Sequence, residues 1–358
     1  MKVALITDQH FGARNDSILF LDYYQKFYSE VFFPTITERK IKNVFILGDT
    51  FDRRKYMNYY TLQRSKEMFF DVLEKHELVT LIITGNHDTY FKNTNDVNSP
   101  ELTLDSYSCI RIIKEPTEII TTLRGNSILF LPWITPENYD NTLELIKKSK
   151  SLVCMGHLEI EGFAMYKGMH SEGGLSRKIF RKFDMTFSGH YHHKSEEDGI
   201  HYLGNPYQLT WQDYGDVRGF HIFDTETMEL EFIPNPDEMF IKIVYDDKDK
   251  ETLEFLEKDV SFTKKKYVKI VVVNKTNPYI FETYVNNIYK QDPADVTIVE
   301  DFTDLTETSE DDIIDQAQDT LTILNNYVDS IKDDVIDSNK LKSIFKELYV
   351  EALNLEQA

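Results

Sequence analysis

Residues 81–88 read LIITGNHD: an apolar, β-branched run that stops abruptly at Gly85, Asn86, His87 and Asp88. A short continuous apolar run is the mark of a strand buried on both faces, as in a sheet covered by helices. Gly85 and Asn86 fit a turn, because both tolerate positive φ. His87 and Asp88 have no such explanation, since they neither prolong a strand nor pack a core.

The same grammar recurs along the first half of the chain. Apolar runs at 3–7, 44–47, 152–155 and 185–187 stop at or just before DQH (8–10), GDTFD (48–52), GH (156–157) and GHYH (189–192). The stretches 19–40 and 62–76 have helical spacing, so the first three runs form a β-α-β alternation. That alternation places the polar clusters at strand C-termini, where α/β proteins build their sites. TEIITTLRGNSILFLPW (117–133) reads as two strands joined by a turn at Gly125 and Asn126. HYLGNPY and RGFHIFDTETMELEFIP continue as strands to about Pro236.

Beyond Pro236 the pattern restarts. KKKYVKIVVV (264–273) is strand-like, NPYIFETYVNNIYK (277–290) has an early Pro and helical spacing, and ADVTIVED (294–301) is strand-like again. These predict a small α+β unit over residues 237–302, followed by an acidic linker at 303–312. In 313–358, Ile314, Ala317, Leu321, Leu324, Val328 and Ile331 repeat at coiled-coil spacing, and Leu341, Ile344, Phe345, Leu348 and Ala352 follow suit. Two short amphipathic helices account for both seams.

Composition bounds the function. The chain has 358 residues, 41% hydrophobic and 13% aromatic, which excludes disorder over most of its length. Its formal charge of −21 counts against nucleic acid, but residues 301–358 hold 15 Asp and Glu against 4 Lys and so contribute −11 of it. With no secretory leader and no long apolar window, the chain is expected to be cytoplasmic and off the membrane. Cys109 and Cys154 sit in or beside apolar runs, as reduced packing thiols do.

Five strand ends carrying Asp, His or Asn are hard to dismiss as capped turns. Imidazole, carboxylate and amide oxygen together suit Mn, Zn or Fe, and the donors are too many for one ion. A pair of divalent ions that shares a carboxylate and neutralises a phosphate is the expectation. A proton for the leaving oxygen then comes from a His that is not a ligand, with a neighbouring Asp orienting it. On this reading Asn86 reaches a metal, and His87 with Asp88 forms the acid pair.

The ordered series DxH, GDxxD, GNHD, GH, GHxH resembles the calcineurin-like metallophosphoesterase superfamily over residues 1–195. LPW (131–133), HYLGNPYQLTWQDYGDVRGF (201–220), YKGMHS (166–171), the α+β unit and the helical tail are similar to double-strand-break repair nucleases of the SbcD type, most of all those of T-even-like phages. The resemblance implies an α/β fold, a two-sheet β-sandwich flanked by helices, over residues 1–236. It adds a small α+β capping, DNA-binding domain at 237–302 and a C-terminal helical pair that binds an SbcC-like ABC-type ATPase. It implies two Mn2+, with Mg2+ as a partial substitute. Asp8, His10, Asp49 and His192 would hold one ion and Asp49, Asn86, His157 and His190 the other, with His87 as the acid. DNA and a second copy of the chain are the further partners implied. One departure concerns DNA handling: Asp52 stands where many such nucleases have a substrate-touching His. It is followed by Arg53 and Arg54, so these three are the candidate DNA-binding residues, the arginines as phosphate contacts leaving the GDTFD turn or simply as a solvated face. Two other readings remain open, a metallophosphatase acting on phosphoproteins or nucleotides and a non-catalytic DNA-tethering scaffold.

Overall fold

The computed structural model describes residues 1–120, 127–166, 169–171, 173–248 and 258–300. The acidic linker, both C-terminal helices and the Gly125–Asn126 turn expected from the sequence lie outside the described residues. Met1–Val299 is one compact unit.

The strands are β1 (Lys2–Ile6), β2 (Asn43–Ile46), β3 (Val79–Ile83), β4 (Ile110–Ile113), β5 (Thr117–Ile120), β6 (Ser127–Leu131), β7 (Val153–His157), the short β8 (Ala164–Tyr166) and β9 (Met169–His170), β10 (Met185–Gly189), β11 (Ser195–Glu197), β12 (Ile200–Tyr202), β13 (Gly219–Asp224), β14 (Glu229–Pro234), β15 (Phe240–Asp246), β16 (Tyr267–Asn274) and β17 (Asp295–Glu300). Among the described residues one sheet runs β14-β13-β1-β2-β3-β4 and a second runs β11-β12-β10-β7-β6-β5. β1 to β4 are mutually parallel, as are β6, β7, β10 and β12, so the C-terminal ends within each set share one edge. β5 and β6 pair antiparallel with Ile120 opposite Ser127, as the expected hairpin requires.

Period-two alternation explains why the runs are apolar throughout. In the first sheet Val3, Leu5, Phe45, Leu47, Leu81 and Ile83 face the second sheet, where they meet Phe130, Val153, Met155 and Phe187. Their neighbours Ala4, Ile6, Val44, Ile46 and Ile82 point the other way, into an aromatic helix layer with Phe20, Tyr24, Phe27, Tyr28, Phe32 and Phe69. On the outer face of the second sheet Leu129, Leu131 and Cys154 pack with Ile146 of the helix Tyr139–Lys148. The result is the expected sandwich of two sheets flanked by helices. Both cysteines are free thiols, Cys154 fully buried. No helix among the described residues is long and apolar enough to cross a membrane.

The helical stretch expected at 19–40 is an α-helix, Ile18–Phe27, a π-helical turn, Tyr28–Phe32, and a second α-helix, Phe33–Glu38. The one expected at 62–76 has the same three-part build, with its π turn at Lys66–Phe70. π turns of this kind often accompany functional sites, and here Tyr28 reaches the loop after β1.

The third sheet, β15-β16-β17, includes a strand the sequence reading passed over, FIKIVYD of β15, paired parallel with β16. Its helix, Pro278–Tyr289, starts where Asn277 accepts the backbone N–H groups of Tyr279 and Ile280 and Pro278 occupies the first turn. Ile280, Phe281, Tyr284 and Ile288 pack on Ile243, Val268 and Ile270. Phe240 and Tyr267 join this module to Phe20 and Trp211 of the larger body. Asp237 pins the junction, taking Lys26 at 3.0 Å.

Candidate active site

All five polar clusters meet at the shared edge of the two sheets. The loops after β1 and β2 run in step beyond the strands: Asp8 N–H donates to Gly48 O, His10 N–H to Asp49 O and Phe11 N–H to Thr50 O, each at 3.0 Å. This ladder forces unusual backbone. Asp8 (φ 51°), His10 (φ 46°), Asp49 (φ 51°) and His190 (φ 87°) are all left-handed, at a cost of about 1–3 kcal/mol each. Between the first two, Gln9 is held at both ends. Its side-chain amide donates to Tyr28 Oη at 2.7 Å, and Tyr207 Oη–H donates to its backbone carbonyl at 2.6 Å. Tyr28 and Tyr207 carry no sequence signal for this task, because they read as core aromatics.

Gly85 and Asn86 correct the expectation of a positive-φ turn, since neither is left-handed. Gly85 is needed for space: a Cβ there would collide with Asp49 Oδ1, and one on Gly48 would collide with the His157 ring. A Cβ on Gly189 would strike Thr7 Oγ1 and crowd Asp8. The glycines before the ligand-type residues let backbone approach carboxylate and imidazole.

The nitrogen and oxygen donors converge in two overlapping groups. His10 Nε2 and His192 Nε2 face each other at 3.0 Å, with Asp8 Oδ1 4.0 Å from His192. His157 Nε2 and His190 Nδ1 each lie 2.9 Å from Asn86 Oδ1. Asp49 Oδ2 stands between, 3.8 Å from His10 Nε2 and 3.3 Å from His157 Nε2. Among the described residues three trios have ligand atoms mutually within 4.8 Å: Asp8, His10 and His192; His10, Asp49 and His87; Asp8, Asp49 and His157. Trp133 walls one side, its ring 5.1 Å from that of His190. The seven residues expected as ligands, Asp8, His10, Asp49, Asn86, His157, His190 and His192, are thus brought together.

The acid pair is not a pair. Asp88 is fully buried with its oxygens on the backbone N–H groups of Gly85 (2.9 Å) and Phe51 (3.1 Å), so it staples the turn after β3 to the GDTFD loop. Burial, then the charge of Asp49, push its carboxyl up to about 7. His87 is held instead by Asp52, whose backbone carbonyl lies 2.6 Å from Nδ1, while its own N–H donates to Asp49 Oδ1 at 2.8 Å. The same Asp52 places Oδ1 3.2 Å from His10 Nδ1. The Asp52 side chain is therefore turned inward, and the residue braces two histidines at once. Arg54 donates to the carbonyls of Thr89 (2.9 Å) and Phe91 (3.0 Å), and Arg53 closes on Asn15 and Tyr56. Both arginines are committed to loop structure.

Burial and charge set the protonation of the cluster. Burial disfavours charge on Asp49, but His157 beside it, by charge and by hydrogen bond, outweighs this and holds the carboxyl well below its usual range. Burial lowers His10 and His157, yet Asp52 acting on the first and Asp49 on the second raise both to about 9. Burial brings His190 down to about 3 and puts His192 well below its usual value. Two neutral imidazoles thus face buried carboxylates whose counter-charge is protons on two others. Divalent cations would replace those protons, so the donor set fits metal on chemical grounds.

Residues 1–194 match the family model for calcineurin-like phosphoesterases. The chain is 32% identical over 307 residues to exonuclease subunit 1 of enterobacteria phage T4, covering 85% of this chain and 86% of that one. A solved archaeal phosphodiesterase aligns over 66% of this chain and all of its own, at 12% identity and a TM-score of 0.32. With the metal-suited donors at the edge of a two-sheet sandwich and a family match spanning more than half its length, the chain belongs to the calcineurin-like phosphoesterase family.

Proposed function

We propose that this protein is the nuclease subunit of an SbcCD-like DNA recombination and repair complex, hydrolysing phosphodiester bonds at a two-metal centre. The observation that carries this reading is Asp49, whose carboxylate stands between two complete groups of donors. Asp8, His10 and His192 would hold one ion with Asp49, and Asn86, His157 and His190 the other. The ions, Mn2+ with Mg2+ as a partial substitute, would supply Lewis-acid neutralisation of the phosphate and an activated water. Asp52 O accepts from His87 Nδ1–H, which leaves Nε2 as the nitrogen that would take up a proton and, from the imidazolium so formed, hand it to the leaving oxygen. Asp88 serves that step indirectly, by fixing the turn that carries His87.

Duplex DNA is the substrate this reading favours, and the α+β module supports it as a capping, DNA-binding domain at 237–302. Lys242 and Lys269 stand directly opposite each other on β15 and β16, a like-charge placement that costs stability unless an anion is to be met. Burial, then Lys242, lowers the Lys269 ammonium, which sits 4.4 Å over the Trp211 ring. Neighbouring Arg14 lies 5.8 Å from Tyr267. The apolar seam of residues 313–358 suits a facing helix, so an SbcC-like ATPase is the proposed partner, in keeping with a relative whose name marks it as a subunit. Exposed Tyr59, Tyr90, Phe91 and Leu102, near the GDTFD and GNHD loops in sequence, offer apolar area to a second copy of the chain.

Cleavage of linear duplex DNA with Mn2+ tests the reading. His87→Ala is expected to lower the rate at least ~100-fold while both ions stay bound. Loss of an ion on calorimetry would instead make His87 a ligand alongside His10 and Asp49. The double variant Lys242→Gln/Lys269→Gln is expected to weaken DNA binding and reduce its salt slope by about 2, with hydrolysis of a small phosphodiester unchanged. An unaltered salt slope would remove the module from the DNA path. A third expectation concerns pH. His10 and His157, raised to about 9, and Asp88, raised to about 7, bind protons more tightly folded than unfolded. Their stabilisation is present at low pH and lost as pH rises through these values. Metal-free protein should therefore melt at lower temperature at pH 9 than at pH 6.5, and Mn2+ should flatten the difference. A metal-free melting point that rises over that interval would contradict the assignment.

A further inference from the structure

Behind the donor groups lies a buried charge network that none of the roles above uses. Arg218, with 5% of its side chain exposed, places Nη2 2.8 Å from Asp213 Oδ1 and 3.0 Å from Asp216 Oδ2. Asp213 is itself anchored, its other oxygen accepting the N–H groups of Leu209 (2.7 Å) and Thr210 (2.9 Å). Asp216 also takes His193 Nδ1 at 2.6 Å. A buried guanidinium is costly even when paired, and replacing such a network by apolar packing is often neutral or better. Its presence asks for a task.

The task lies in the two partners that are not acids. Nη1 donates to the backbone carbonyl of His192 and to Oδ1 of Asn205. The same carbonyl accepts Asn205 N–H at 3.3 Å, and a Cβ on Gly204, which is left-handed at φ 71°, would crowd it. His192 follows His190, itself left-handed, so the turn after β10 has no strand ladder to hold it. Clamping the His192 carbonyl fixes the rotation of its peptide and with it the direction of its imidazole. A planar fork with five donors can span a carbonyl, an amide oxygen and two carboxylates at once, which a lysine cannot.

We propose that Arg218 is the positioning residue for His192, locking the 190–193 turn so that Nε2 meets His10 and Asp8. The inference rests on the reading of His192 as a metal ligand. Titrating the full chain with manganese(II) chloride by calorimetry tests both, and separates them. Wild type is expected to bind two ions and His192→Ala to lose one. Arg218→Met should weaken that same ion about 10–100-fold and spare the other, as loss of a ligand's support does. Arg218→Lys should recover part of the affinity. Asp216→Asn, which loosens the guanidinium but keeps the Asp213 pair, should weaken the same ion to a smaller degree and serves if Arg218→Met fails to fold. Wild-type affinity for both ions in folded Arg218→Met, or in Asp216→Asn when Arg218→Met does not fold, would overturn the positioning role. Two tight ions in His192→Ala would overturn the ligand reading, and the inference with it.

Discussion

Asp49 is a carboxylate at 2% exposure, kept ionised by the imidazoles around it. A charge withdrawn from water in this way is tolerable only with opposite charge at contact distance. Much of the local structure serves that requirement. Gly85 and Gly48 have no side chain because Asp49 and His157 occupy the space. His87 N–H is aimed at Asp49, and Asp88 staples the loop that aims it.

Parallel strands supply the rigidity. Because the core strands of each sheet end together, loops from five of them reach one place without long excursions. The price is left-handed backbone at Asp8, His10, Asp49 and His190, and it is met by unusually dense support. Gln9 is held between two tyrosines, the β1 and β2 loops share a ladder, and Arg218 grips the turn at His192. The π turn at Tyr28–Phe32 belongs to the same scheme, since Tyr28 lies on it.

The sequence was most legible where one physical rule dominated. Runs such as Val44–Leu47, short, β-branched and stopped by polar clusters, read as strands buried on both faces, and the ligand-type residues followed from their place at the ends. It was least legible where one of the two partners is main chain. Asp88 beside His87 suggested a pair, but adjacency in a tight turn sends the two side chains opposite ways, and Asp88 ends on Gly85 and Phe51. Asp52 orients His87 through a carbonyl, which no residue type announces. Arg53 and Arg54 read as DNA-phosphate contacts or a solvated face, because their acceptors, Asn15, Thr89 and Phe91, are distant in sequence or are main chain. β15 was missed because its apolar residues are interrupted by Lys242 and run into an acidic stretch.

The central claim is that Asp49 bridges two metal sites. Anomalous diffraction at the manganese edge, from crystals of the full chain grown with Mn2+, tests it most directly. The account predicts two peaks roughly 3.5–4 Å apart on either side of the Asp49 carboxylate, one against Asp8, His10 and His192 and the other against Asn86, His157 and His190. A single peak, or two peaks of which one lies away from Asp49, would contradict it.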